Sequence, residues 1–117
     1  MHNVIIEKEV QHQLLDLKNY LLNAHGKAIG TSRFSEIMSS LDNLQYFADI
    51  GSNIKEKYNV KCPDNWFLLY SNMNYFIYSK NDSTITILKM YNNKQDFIYD
   101  LFGVKMRSQE SIDYWGE

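Results

Sequence analysis

The stretch from Trp66 to Phe102 most constrains what this chain can fold into. It reads WFLLYSNMNYFIYSKNDSTITILKMYNNKQDFIYDLF, in which apolar and aromatic runs alternate with short groups rich in Asn, Asp and Ser. Such runs are typical of β-strands, and Asn tolerates the left-handed backbone that tight turns require. The pattern predicts a three-stranded antiparallel meander and a short amphipathic helix, at 66–71, 75–80, 84–91 and 94–102.

The residues before this stretch predict a layer that covers the sheet. A β-branched run from Asn3 to Ile6 suits a strand. Apolar residues then recur every three or four positions over 7–24 and again over 31–47, which predicts two amphipathic helices. A short turn at 26–30 contains two glycines and would join the helices as an antiparallel hairpin.

The remaining segments are less regular. Residues 49–65 predict a loop with one helical turn near 54–58. Residues 104–117 form a polar tail that ends in Tyr114 and Trp115, and these aromatic side chains need a surface to pack on, either on the domain or on a partner. The sequence thus predicts one α+β domain at 1–103 and a packing tail at 104–117.

Composition limits the classes of protein to which this chain can belong. The formal net charge is −2 and the pI is near 5.9, so the chain lacks the overall charge of a nucleic-acid binder, although residues 55–94 carry six lysines against three acidic residues. Cys62 is the only cysteine, which excludes an internal disulfide and a cysteine metal cluster. We find no signal peptide and no apolar run of about 20 residues, and expect a cytoplasmic protein without metal or cofactor.

The order of the predicted elements resembles the RelE/ParE superfamily of bacterial toxins over roughly residues 2–102. The family strand and turn of the form YxIFYxxxDD are matched by Tyr75, Phe76, Ile77, Tyr78 and Asp82. The following family segment, xVxILRVxHxRRD, is matched by Ile85, Ile87, Leu88, Lys89, Met90, Lys94 and Asp96, and the next helix by Phe97 and Leu101. The resemblance implies the toxin component of a type II toxin–antitoxin module, with the associated growth inhibition and plasmid stabilisation.

Differences from the family pattern bear on whether this chain cleaves RNA, as one branch of the family does. Members that cleave mRNA on the ribosome need a base for the ribose hydroxyl, a cation for the phosphate and an acid for the leaving oxygen. Where those members carry Arg or His, this chain has Tyr70, Ser79 and the run Asn92, Asn93, Lys94, Gln95. If cleavage chemistry is retained, the candidate catalytic residues are Tyr99, Lys94 and Lys89.

The resemblance therefore leaves three functions open. The first is a ParE-like toxin that inhibits DNA gyrase without catalysis. The second is a RelE-like endoribonuclease that acts on ribosome-bound mRNA, and the third is a non-toxic interaction module. Only the second of these functions would make the protein an enzyme.

Partners follow from the same resemblance. A cognate antitoxin is expected to lay a helix and an extended strand over the hairpin and the sheet edge. Neither a membrane nor sequence-specific DNA binding by the chain alone is expected. The residues predicted to bind partners are Tyr70, Tyr78, Lys80, Tyr91 and Trp115.

Overall fold

The structure, a computed structural model, describes residues 1–103. These residues form five strands and three helices, with three of the strands consecutive in the chain, which confirms the predicted α+β class. In chain order they are β1 (Asn3–Ile6), α1 (Lys8–Asp42), a 3-10 turn (Asn43–Gln45), β2 (Ser52–Asn53), α2 (Ile54–Tyr58), β3 (Trp66–Ser71), β4 (Asn74–Lys80), β5 (Thr84–Asn92) and α3 (Phe97–Phe102).

The strands form one mixed sheet in the order β1-β5-β4-β3-β2. Strands β3, β4 and β5 are antiparallel neighbours, as the meander prediction requires, and β1 pairs with β5 in parallel. Strand β2 lies inside the segment 49–65, which was predicted as a loop, and it pairs with residues 67 and 68 of β3. A strand of two residues is too short to produce an alternating pattern.

The β3–β4 turn is shorter than predicted. Asn72 and Met73 both take positive φ, at 48° and 68°, which is the backbone of the two-residue turn that fits the twist of a hairpin. Asn74, predicted to belong to the turn, instead pairs with Ser71 as the first residue of β4. Asn is suited to the first turn position because its short polar side chain tolerates the left-handed region.

The predicted helical hairpin is present inside α1, with a tighter turn than 26–30. Gly26 alone leaves the helical region, with φ 86° and ψ 169°. The second arm then folds back on the first. The two arms are so close that a Cβ built on Gly30 would lie 2.7 Å from the Leu21 carbonyl oxygen. Lys18 also lies over the ring of Phe34, 5.7 Å from its centroid, although sixteen positions separate them. The second helix accordingly begins before residue 31 and ends at Asp42 rather than at 47.

Apolar side chains cover the sheet on both faces. One buried cluster joins the α1 hairpin to one face; it comprises Val10, Leu14, Leu21, Ile37, Leu41, Leu44, Ala48, Phe76, Tyr78, Ile85, Ile87 and Met90. A second cluster lies where α2, α3 and the loop after α2 meet the sheet; it comprises Ile54, Val60, Leu68, Ile77, Tyr91, Phe97 and Ile98. Among the helices of residues 1–103, none combines the length and the hydropathy needed to cross a bilayer.

Helix α3 is shorter than the predicted 94–102. The Asp96 side chain accepts a hydrogen bond from the Tyr99 backbone N–H and so caps the helix at its N-terminus. The residues before it form a turn closed by the Gln95 side chain, whose Oε1 accepts from the Asn92 N–H. The helix ends where Gly103 takes a φ of 68°, as the sequence indicated.

Candidate functional site

The three candidate catalytic residues lie in different surroundings. Lys89 forms an ion pair with Glu9 of α1, at 3.7 Å, and stands opposite Ile77 in the β4–β5 register. Lys94 lies in the turn between β5 and α3 and lines a groove beside the α1 hairpin. Tyr99 is on α3, half-exposed, and is not among the residues that line that groove. The described residues therefore do not bring these three side chains into one pocket.

Tyr78 lies in the core rather than on a binding surface. Its side chain is fully buried between the hairpin and the sheet, stacked on Phe67 at 5.5 Å. Its hydroxyl donates a 2.8 Å hydrogen bond to the Ala48 carbonyl oxygen and accepts one of 3.1 Å from the Gly51 N–H. Burial raises the pKa of Tyr78 to about 12. As placed, Tyr78 anchors the loop after α1 and offers no surface to a partner.

Tyr91 is also mostly buried, and it connects the sheet to α3. Its hydroxyl donates a 2.9 Å hydrogen bond to Asp100 Oδ2. Burial, followed by the neighbouring carboxylate, raises the pKa of Tyr91 well above its usual range. The phenol thus stays protonated at neutral pH and serves as a hydrogen-bond donor.

The other predicted binding residues are closer to solvent. Tyr70 is 52% exposed and packs against Tyr75 with ring centroids 4.9 Å apart. Lys80 is held by Asp49 at 2.5 Å and lies over the Phe67 ring. Trp115 lies outside the described residues, as does the predicted packing of the 104–117 tail. Among the members of this set within residues 1–103, Tyr70 is the most exposed aromatic residue.

The sequence did not predict the exposed apolar loop at residues 46–50. Tyr46, Phe47 and Ile50 are each more than 60% exposed, although the backbone between them is held by Tyr78 through Ala48 and Gly51. The periodic pattern extended the second helix to residue 47 and therefore hid this loop. The signal that could have revealed the loop is the set of apolar residues that continues past the last helical position, up to Ile50 directly before Gly51.

A groove of about 610 Å³ lies between the α1 hairpin and the β3–β4 and β5–α3 turns. His25 and Arg33 of the hairpin line it together with Lys94, Asn92 and Asn93. Residues 34–106, which include the meander, contain neither His nor Arg. The fold nevertheless brings these two side chains from the hairpin to the end of β5. Within residues 1–103, no cluster of His, Cys, Asp and Glu has metal-binding geometry.

Packed side chains occupy much of the sheet face that α1 does not cover, which limits the space for a phosphate and its catalytic groups. Helices α2 and α3 place the Ile54, Phe97 and Ile98 side chains against it, in a buried cluster that includes Tyr91 of β5. Cleavage of RNA by attack of a ribose hydroxyl needs a base, a cation and an acid around one phosphate. On the described part of this face, the side chains that pack together are apolar or aromatic.

Comparison with known proteins supports the same fold. No family model and no curated protein matches the sequence. A chain in the solved structure of a chromosomal ParDE toxin–antitoxin system from P. aeruginosa superposes with a TM-score of 0.62 at 13% sequence identity. The match covers 79% of this chain and 96% of the other. The protein therefore has a ParE/RelE-type toxin fold.

Proposed function

We propose that this protein is the toxin of a toxin–antitoxin module, kept silent by a cognate antitoxin, and that it inhibits DNA gyrase by binding rather than by catalysis. The fold shared with a chain of the ParDE system carries the proposal. Under this proposal the protein acts in the bacterial cytoplasm, arrests growth when unopposed and contributes to plasmid stabilisation.

The positions of the candidate catalytic residues support a non-enzymatic mode. Lys89 is paired with Glu9 of α1, and Lys94 lines the groove while Tyr99 does not. The Tyr91 hydroxyl is hydrogen-bonded to Asp100, and its pKa is raised well above the usual range, so this phenol keeps its proton at neutral pH. A RelE-like nuclease would need such groups to converge on one phosphate.

Two surfaces support an antitoxin partner. Strand β1 is an edge of the sheet, and its outward groups can accept a strand from another chain; Ile5 on this strand is 51% exposed. The hairpin arms also expose Leu15 and Ile29, each more than half accessible, which fits the apolar face of a partner helix. An antitoxin that engages both would bury apolar surface the toxin leaves in water.

Expression of the chain alone in a bacterial host tests the proposal. We expect growth arrest that begins with a DNA-damage response and a supercoiling defect, and rescue by co-expression of the neighbouring antitoxin gene. Rapid loss of translation with cut transcripts would instead support the RelE-like nuclease. Unharmed growth, with the protein verified as soluble and folded, would contradict both toxin functions and leave the non-toxic interaction module.

A further inference from the structure

The groove between the hairpin and the β5–α3 turn is lined by chemically different groups. The first arm of α1 contributes Gln13, Asp16 and Tyr20, which lie three, four or seven positions apart and so share one helical face. Arg33 of the second arm and Lys94 of the turn also line the groove. The lining therefore combines a carboxylate and an aromatic ring with two cations.

Both cations are available to a ligand. The ion pairs within residues 1–103 are Lys55–Asp64, Lys80–Asp49 and Lys89–Glu9, so Arg33 and Lys94 take part in none of them. The carboxylate that lines the groove, Asp16, is not paired with either cation. Unpaired cations beside a concave, partly apolar surface attract an anion more strongly than cations on a convex surface.

The turn before α3 adds oriented hydrogen-bond donors. Asn92 Oδ1 accepts from the Lys94 N–H at 2.9 Å, and Gln95 Oε1 accepts from the Asn92 N–H at 2.8 Å. Because a backbone N–H can only donate, these bonds fix which end of each carboxamide is oxygen. The Asn92 Nδ2 and Gln95 Nε2 donors are left for a ligand on the same side as Lys94.

The first arm of α1 offers hydrogen-bond acceptors. Gln13 Nε2 donates to the Met90 carbonyl oxygen at 3.3 Å, which leaves Gln13 Oε1 as an acceptor on the same helical face as the Asp16 carboxylate. Tyr20 on that face is 63% exposed, so its ring is open to stacking. A ligand matched to this lining thus carries an anionic group, hydrogen-bond donors and a flat ring.

We propose that this groove binds a nucleotide, with its phosphate on Arg33, Lys94 and the 92–95 turn and with its base against Tyr20. Phosphate matches Arg33 and Lys94, since guanidinium and ammonium groups bind phosphate oxygens by charge-assisted hydrogen bonds. The base supplies the flat ring for Tyr20, and base N–H or ribose O–H groups match the acceptors Asp16 and Gln13. The groove volume lies within the range of small-molecule sites.

Calorimetric titration of the full chain with adenosine, guanosine, cytidine and uridine monophosphates tests the proposal. We expect saturable binding of at least one of them, weakened by added salt because the contact is ionic. The double variant R33Q/K94Q should weaken that binding at least about tenfold, since two charge-assisted hydrogen bonds are lost. Saturable binding of none of the four would overturn the proposal.

Matched variants test whether the loss of nucleotide binding comes from the groove. The double variant K57Q/K61Q removes the same charge from exposed lysines outside the groove and should bind as the unchanged protein does. Tyr20→Ala should weaken nucleotide binding, whereas Tyr46→Ala, at a comparably exposed tyrosine outside the groove, should not. Equal losses in the control pair, or inorganic phosphate binding as tightly as the nucleotide, would contradict a nucleotide site. Unchanged thermal unfolding of each variant excludes a folding defect as the cause.

Discussion

The hydroxyl of Tyr78 donates a hydrogen bond of 2.8 Å to the carbonyl oxygen of Ala48, thirty residues earlier in the chain. The Tyr78 hydroxyl oxygen also accepts a hydrogen bond from the Gly51 N–H at 3.1 Å. One buried phenol therefore satisfies two backbone groups of the loop that follows α1. This contact fixes the backbone beneath the exposed Phe47 and Ile50 side chains and so holds an apolar surface in a set position.

Tyr78→Phe should destabilise the protein by about 1–3 kcal/mol. The substitution keeps the ring in the core but leaves the Ala48 carbonyl and the Gly51 N–H without their partner, and an unsatisfied buried polar group costs about that much. Chemical denaturation measures the change. The control is Tyr70→Phe, at a half-exposed hydroxyl, which should stay within about 0.5 kcal/mol of the unchanged protein. An equal effect of both substitutions would contradict the anchoring role.

Alkaline pH should weaken the fold through the same residue. The folded protein raises the Tyr78 pKa from 10.0 to about 12, so the unfolded chain loses this proton at lower pH than the folded chain does. Stability from this group is complete below pH 10.0 and falls as the pH rises toward about 12. Unfolding free energies measured between about pH 8 and about pH 11 should decline less steeply in Tyr78→Phe. Part of the decline should persist, because the Tyr91 pKa is raised as well. Identical slopes would contradict this assignment.

Gly30→Ala should destabilise the hairpin by about 1–3 kcal/mol, although Ala normally stabilises a helix relative to Gly. The added Cβ would lie 2.7 Å from the Leu21 carbonyl oxygen, and backbone cannot move aside as a flexible side chain can. Thermal unfolding measures the effect. Ser35→Ala, at an exposed position of the same arm, should be neutral or slightly stabilising. A stabilised Gly30→Ala protein would show that the two arms are not packed this closely.

Much of this fold could be predicted from local patterns. The strand at Asn3–Ile6 was predicted with its observed bounds, and so was the first meander strand, because both runs are β-rich and clearly bounded. Strand β2 could not be, since its two residues become a strand only by pairing with β3. The tight turn at Gly26 was placed too broadly, because nothing in the sequence of 27–30 shows that these residues continue the helix.

The candidate site was harder to predict, because its groups come from distant parts of the chain. The groove combines His25 and Arg33 with Lys94, which lie about sixty to seventy positions apart, and only the folded hairpin brings them to the end of β5. Tyr78 matched an aromatic-rich family motif, and Tyr91 lies at an unspecified position of the next family segment, but neither pattern could separate core from surface. Burial distinguishes them: both are at most 9% exposed, whereas Tyr70 is 52% exposed.

Tyr99→Phe and Lys89→Ala should leave growth arrest unchanged if the toxin acts by binding. Neither side chain would be needed as an acid, a base or a phosphate ligand. Lys89→Ala should also alter stability by less than about 1 kcal/mol, since its pair with Glu9 is largely exposed. Viable counts after induction, at matched protein levels by immunoblot, measure the outcome. Loss of arrest in either folded variant would favour the nuclease function.

The supercoiling activity of purified DNA gyrase, titrated with this protein, tests the proposed mode of action most directly. Relaxed plasmid should remain relaxed once the protein reaches the concentration of gyrase, because inhibition by binding consumes one inhibitor for each target. Tyr99→Phe should inhibit to the same extent. Full supercoiling in the presence of excess folded protein would contradict gyrase as the target.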